Sequence, residues 1–175
     1  DLIINIEVSL NIYRKLALIK FQTISQTKME IKILPFEQLT ASKLYELLQL
    51  RAEVFIVEQN CVYQDIDGKD FKALHVLGYE NNTLVAYTRI FNRGDYFEEA
   101  SIGRVLTHSQ YRKFGYGKVI MQASIDYLEN QFKVDTIEIS AQQYLDKFYT
   151  ELGFNKTGEG YLEDNIPHIK MIKSK

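Results

Sequence analysis

Arg112-Lys113-Phe114-Gly115-Tyr116-Gly117 places two cations and two glycines in six residues, and Lys118 follows directly. The segment stands between an apolar β-like run, Ala100 to Leu106, and a stretch where Val119, Ile120, Ala123 and Tyr127 recur at helical spacing. The glycines therefore fall at a helix start, where unpaired backbone N–H groups and the helix dipole favour an anion. Without a β-carbon, Gly115 and Gly117 allow a sharp turn and close approach to phosphate oxygens, and Arg112, Lys113 and Lys118 add positive charge. The chemistry this pattern suits is the binding of a phosphate-bearing ligand. The plain alternative is that the glycines only open a helix after a loop. Two rival phosphate motifs fail on residue identity. A Walker A loop needs Ser or Thr after its lysine, where Val119 stands, and a dinucleotide fingerprint needs glycine at position 120, which is Ile120.

Other residues carry chemistry by type alone. Tyr149 shares a helical face with Leu145, Phe148 and Leu152, which by periodicity makes it a core residue. Cys61 is the single cysteine, so neither an internal disulfide nor a cysteine-rich zinc site is available. Packing is its expected role, in a reducing, cytoplasmic setting. Glu58, Asp65, Asp67, His75 and His168 are candidate proton acceptors, with no ligand spacing that points to a metal. For the aspartates the plainer expectation is a solvated acidic loop, and for the two histidines a structural place in strands.

The elements that must position these groups follow from pattern. Glu30 to Leu34 reads as a strand, and Thr40 as the N-cap of a helix to about Val57. A polar, Asp-rich loop spans Glu58 to Lys72. Leu74 to Glu80 and Leu84 to Phe91 form a hairpin through Asn81-Asn82-Thr83. After the glycine turn a helix lasts to about Phe132. Thr136 to Ser140 is a strand, Leu145 to Leu152 a helix stopped by Gly153, and Ile166 to Ile172 a last strand.

The 175 residues, 46% hydrophobic and 25% charged, suit one globular domain. A net charge of -2 gives no overall basic field for nucleic acid or an anionic membrane. No apolar run approaches the roughly 20 residues of a membrane-spanning helix. Met29 is the first methionine, and the coherent pattern begins after it. Residues 1-28 are therefore expected to be an N-terminal extension, with an added strand or helix as the rival reading, and residues 29-175 the single domain.

The β-run Ser101 to Leu106, the Arg-x-x-Gly-x-Gly turn with its helix, a further strand and Phe148-Tyr149-Thr150-Glu151-Leu152-Gly153-Phe154 together resemble the GNAT superfamily of N-acetyltransferases. Arg51 to Tyr63, Asp65, Asp67, Asp70, His75 and Pro167-His168-Ile169-Lys170-Met171 resemble its ElaA-like branch. The resemblance covers about Met29 to Met171. It implies an α+β GNAT fold: a mixed, mostly antiparallel sheet, splayed at the CoA site, with helices on both faces. It implies acetyl-CoA as cosubstrate and direct acetyl transfer to an amine acceptor, with a non-catalytic acyl-CoA-binding module as the alternative. Carried over to this chain, the acetyl and pantetheine contacts fall at Val105, Leu106 and Thr107, and the pyrophosphate contacts at Arg112, Lys113, Phe114, Gly115, Tyr116, Gly117 and Lys118. Tyr149 takes the place of the family's general acid and also contacts the cofactor. Gln142 stands where the family often has asparagine. Glu58 and His168 remain base or acceptor-site candidates, and a homodimer is among the assemblies left open.

Overall fold

The computed structural model describes residues 29-175, so the expectations for residues 1-28 lie outside the described residues. Seven strands form one sheet: β1 (Glu30–Pro35), β2 (Leu74–Glu80), β3 (Thr83–Phe91), β4 (Ala100–Thr107), β5 (Thr136–Gln142), β6 (Asn155–Glu163) and β7 (Ile166–Ser174). Their spatial order is β1-β2-β3-β4-β5-β7-β6, and every neighbouring pair is antiparallel except β4 and β5.

Helix α1 (Ala41–Arg51) is capped by Thr40, whose hydroxyl accepts from the Lys43 amide at 3.3 Å. It continues as a π-helix over Ala52–Glu58, a wider turn than the uninterrupted α-helix the periodicity predicts. Helix α2 (Tyr116–Asn130) follows the glycine turn, and the short α3 (Asp146–Thr150) ends before Gly153, which adopts φ +91°.

Two apolar clusters cover the sheet. Ile120, Met121, Ile125 and Leu128 of α2 pack with Val76, Ile90, Ile102, Ile137 and Met171. Leu47 and Leu50 of α1 and Val54 of the π-turn pack with Leu77, Tyr87 and Leu106. Both two-residue hairpin turns, Asn81-Asn82 and Asp164-Asn165, have positive φ at both positions, the primed turn geometry that matches strand twist. Strand β6 is not among the strands expected from apolar periodicity. It is an exposed edge strand whose polar residues carry no apolar alternation, so periodicity has nothing to register.

The acidic loop departs most from expectation. Asp65 and Asp70 are buried, only 4% and 5% exposed, rather than solvated. With Asp67 they close a ring of alternating charge. Arg51 bonds Asp65 at 2.9 Å and Asp70 at 2.8 Å, and Arg89 bonds Asp70 at 2.9 Å and Asp67 at 2.7 Å. Arg104 joins Asp67 at 3.5 Å to Asp65 at 2.8 Å. Three cations and three anions cancel, which is what permits their burial. Asp65 and Asp67 are therefore structural anions, and their lone pairs are already engaged.

His75 is sealed beside this ring. The Asp70 carbonyl, 3.1 Å from Nε2, can only accept, so Nε2–H donates to it and Nδ1 accepts from the Tyr87 hydroxyl at 2.8 Å. Burial holds this imidazole below its ordinary value of 6.5. The unfolded chain thus binds the proton more readily, and the neutral ring adds stability above about pH 6.5 that is lost as the pH falls. Urea midpoints should drop between about pH 7.5 and about pH 5, and less steeply for His75→Gln. Equal slopes would remove His75 as a source of the acid sensitivity.

Candidate functional site

Strands β4 and β5 pair only at Ala100 with Ile137 and Ser101 with Glu138, and beyond that point they diverge. The wedge between them opens into a cleft of about 620 Å³ that also reaches the π-turn, α3 and the β6–β7 hairpin.

One wall is shaped by a bulge in β4. Tyr87 faces Leu106 while Arg89 faces Gly103, so three steps of β4 oppose two of β3, and Arg104 takes a left-handed φ of +49°. Such a backbone costs a residue with a β-carbon on the order of 1–2 kcal/mol. The bonds from Arg104 to Asp65 hold it there, and the bulge re-aims the chain at Val105, a cleft-lining residue. The acidic loop therefore sets the shape of the wall from behind.

At the cleft's other end a 3-10 turn, Ser109–Phe114, leads to Gly115 at φ +76° and then α2. A β-carbon on Gly115 would meet no atom within 4 Å, whereas one on Gly117 would lie 3.4 Å from Thr107 Oγ1 and 3.6 Å from Phe148 Cζ. Gly115 is thus needed for its backbone angle, whereas a β-carbon on Gly117 would make ordinary van der Waals contact with Thr107 and Phe148. The first N–H groups of a helix have no carbonyl one turn earlier to bond. In α2 the Lys118 and Val119 amides both return to the Gly115 carbonyl, at 3.0 and 3.4 Å.

Of the sequence-predicted residues, Val105, Leu106, Thr107, Arg112, Gly115, Gly117, Lys118, Gln142, Tyr149, Glu58 and His168 line the cleft. Lys113, Phe114 and Tyr116 do not. Lys113 and Phe114 are exposed, and Tyr116 is buried in the main core. The two cations of the turn that line the cleft are already paired: Arg112 grips Glu58 at 2.6 and 2.7 Å, and Lys118 bonds Glu151. Exposed pairs of this kind are worth little, so exchange of a carboxylate for a phosphate costs little. While that pairing lasts, both carboxylate oxygens of Glu58 are engaged by Arg112. Gln142 donates to the Gln59 side chain at 3.3 Å, tying β5 to the end of the π-turn.

Tyr149 lies in the cleft wall, 5% exposed, held edge-to-face by Phe148 at 5.0 Å and Phe154 at 6.3 Å. Burial, with a smaller contribution from Tyr144, pushes its phenol above the ordinary value of about 10, so it stays protonated at neutral pH. His168 stacks on Tyr161 at 6.2 Å. Its Nδ1 lies 2.8 Å from the Ile166 carbonyl, which can only accept, so Nδ1–H donates and Nε2 keeps its lone pair.

Pattern reasoning also missed several cleft residues. Tyr96, Phe97 and Ser101 line it, as do Ser140 and Glu163, whose carboxylate lies 2.8 Å from the Ser140 hydroxyl. Ser101 and Gly103 were legible as alternate positions of one β-run, but Glu163 sits on the unrecognised β6.

A mixed seven-stranded sheet, splayed at its one parallel junction beside a glycine-opened helix, is the architecture of acyl-CoA N-acyltransferases. Residues 37–175 match the family model described as acetyltransferase (GNAT) domain, and the chain belongs to this family. Within it, the chain is 41% identical over 147 residues to protein ElaA of Escherichia coli K12, covering 83% of this chain and 96% of ElaA. The crystal structure of Escherichia coli ElaA superposes with a TM-score of 0.78 at 40% identity, covering 83% of this chain and 99% of that one. An acyl-CoA N-acyltransferase from Pseudomonas aeruginosa has the same TM-score at 36% identity and the same coverage of both chains. The chain is thus a GNAT-type acetyltransferase of the ElaA-like branch.

Proposed function

We propose that the protein transfers an acetyl group from acetyl-CoA directly to a primary amine. The observation that carries this reading is one continuous cleft: it joins the glycine turn at the start of α2 to the splayed β4 wall, Tyr149 and His168. The turn suits the pyrophosphate, and the wedge beside Val105, Leu106 and Thr107 suits the pantetheine arm and thioester.

The amine nitrogen attacks the thioester carbonyl, forming the C–N bond, and negative charge develops on the carbonyl oxygen. The backbone N–H of Val105 is the proposed donor to that oxyanion. The lone pair on His168 Nε2 takes the amine proton, directly or through water. The C–S bond then breaks and its electron pair leaves with sulfur. A CoA thiol near the cysteine value of about 8.5 is more acidic than the raised Tyr149 phenol. Tyr149 therefore acts as a protonated hydrogen-bond donor to the departing thiolate, which gains its proton once the imidazolium or solvent can supply it. Cys61 has no part in this direct route, and a reducing, cytoplasmic setting accords with a lone thiol.

Calorimetry with acetyl-CoA, CoA, ATP and NAD tests the donor. Acetyl-CoA and CoA are expected to bind at least about tenfold more tightly than the other two, a gap of about 1.4 kcal/mol. Preference for ATP or NAD would remove the assignment. An amine panel assayed for free-thiol release tests the transfer, and a protein that only binds acyl-CoA would release none above hydrolysis.

A further inference from the structure

Besides the wedge at Val105, Leu106 and Thr107, the cleft takes in an inner end that the acetyl-CoA reading does not use. Its floor is the start of β4. Ser101 and Gly103 stand at alternate positions and so share a face of the strand. Ser101 is 1% exposed, lines the cleft, and its hydroxyl has no hydrogen-bond partner among the described residues. Its strand partner Glu138 is already engaged by Lys170 at 2.7 Å. A buried hydroxyl left unpaired is unfavourable, and at a concave site it marks where a ligand group bonds. A β-carbon on Gly103 would meet no atom within 4 Å, so the space above the floor is open.

The side of this end is aromatic. Tyr96 and Phe97 stack at 4.3 Å with an interplanar angle of 21°, and both line the cleft. Two cations lie nearby: Arg104 is committed to Asp65 and Asp67, and Lys69 sits over the Tyr96 ring at 4.2 Å with Asp67 at 4.0 Å. The surroundings thus offer a flat aromatic wall and the unmatched Ser101 hydroxyl, while both nearby cations already face Asp67.

We propose that this inner end is the acceptor subsite, and that it takes a primary amine with a flat apolar body bearing a hydroxyl or amide that bonds Ser101. The inference rests on the acetyl-transfer reading and names its acceptor class. Spacing limits the molecule. Val105 lies four positions beyond Ser101, about 11 Å after allowing for the bulge, and a contact of about 3 Å at each end, directed along the strand or partly across it, leaves roughly 5–8 Å between the amine nitrogen and the polar group. Tyramine meets that span, and phenethylamine has the same body without the hydroxyl.

Both amines would be titrated into the full chain with CoA present, following backbone amide resonances, and assayed with acetyl-CoA for thiol release. Tyramine is expected to shift the Ser101 and Gly103 resonances and to show a KM about fivefold to tenfold lower than phenethylamine. Ser101→Ala should equalise the two amines. Gly103→Leu fills the open space at a position without positive φ, and should raise KM for both by at least about tenfold while leaving acetyl-CoA affinity unchanged. Tyramine shifts confined to other parts of the protein, or a tyramine preference that survives in Ser101→Ala, would overturn the proposal. Failure of the acetyl-transfer reading has a different signature, loss of acetyl-CoA preference in calorimetry, and the resonance titration decides the subsite either way.

Discussion

Arg51→Met is expected to lower the free energy of unfolding by about 3–5 kcal/mol, because it leaves Asp65 and Asp70 buried without their shared cation. Arg51 is fully buried at the end of α1 and reaches both aspartates through three separate N–H groups, one of them bonding the Asp65 carbonyl at 2.8 Å. Methionine preserves most of the volume, so the loss reports charge rather than a cavity. Guanidinium unfolding at neutral pH measures it. The coupling should appear in a double-mutant cycle, with Arg51→Met and Asp70→Asn together costing less than the sum of the single changes. A loss below about 1 kcal/mol would mean the ring contributes no more than an exposed pair. The ring also has a consequence at the cleft, since Arg104 holds the left-handed backbone of β4 through the same Asp65. A variant that folds but loosens the ring should therefore lose transfer rate before it loses acetyl-CoA affinity.

Tyr149→Phe is expected to lower kcat by about 10²-fold with acetyl-CoA affinity nearly unchanged. The ring remains in place against Phe148 and Phe154, so packing survives and only the hydroxyl is lost. Because burial raises this phenol above its ordinary range, complete proton transfer to a thiolate runs uphill, and the effect should fall at the lower end of general-acid magnitudes. The sign for pH follows. A group that stays protonated to beyond pH 10 gives no alkaline fall in kcat below about that pH. Single-turnover thiol release across the pH range checks both statements. A kcat within about threefold of the parent would assign Tyr149 to packing alone, the role its helical spacing first suggests.

The glycine turn, its helix, the β-runs on either side and the Tyr149 helix are local statements, legible because each follows from spacing within a short window. Thr40 caps its helix and Gly153 ends the last one for the same reason. The acidic loop was not legible. Asp65, Asp67 and Asp70 have the composition of a solvated turn, and only their distant partners Arg51, Arg89 and Arg104 make them a buried core element. Strand β6 was invisible because an edge strand exposed on its outer side needs no apolar alternation. The pairing of Arg112 with Glu58 joins residues 54 positions apart and has no local signal.

By itself the sequence determined the phosphate-suited turn and the order of elements around it, because backbone preference and apolar periodicity act over a few residues. The tertiary structure decided which side chains share the cleft, the tautomer His168 presents, and that Ser101 faces the cleft with its hydroxyl unmatched. Those properties depend on where β4 parts from β5 and on which charges cancel out of water, and both are set by contacts between segments far apart along the chain.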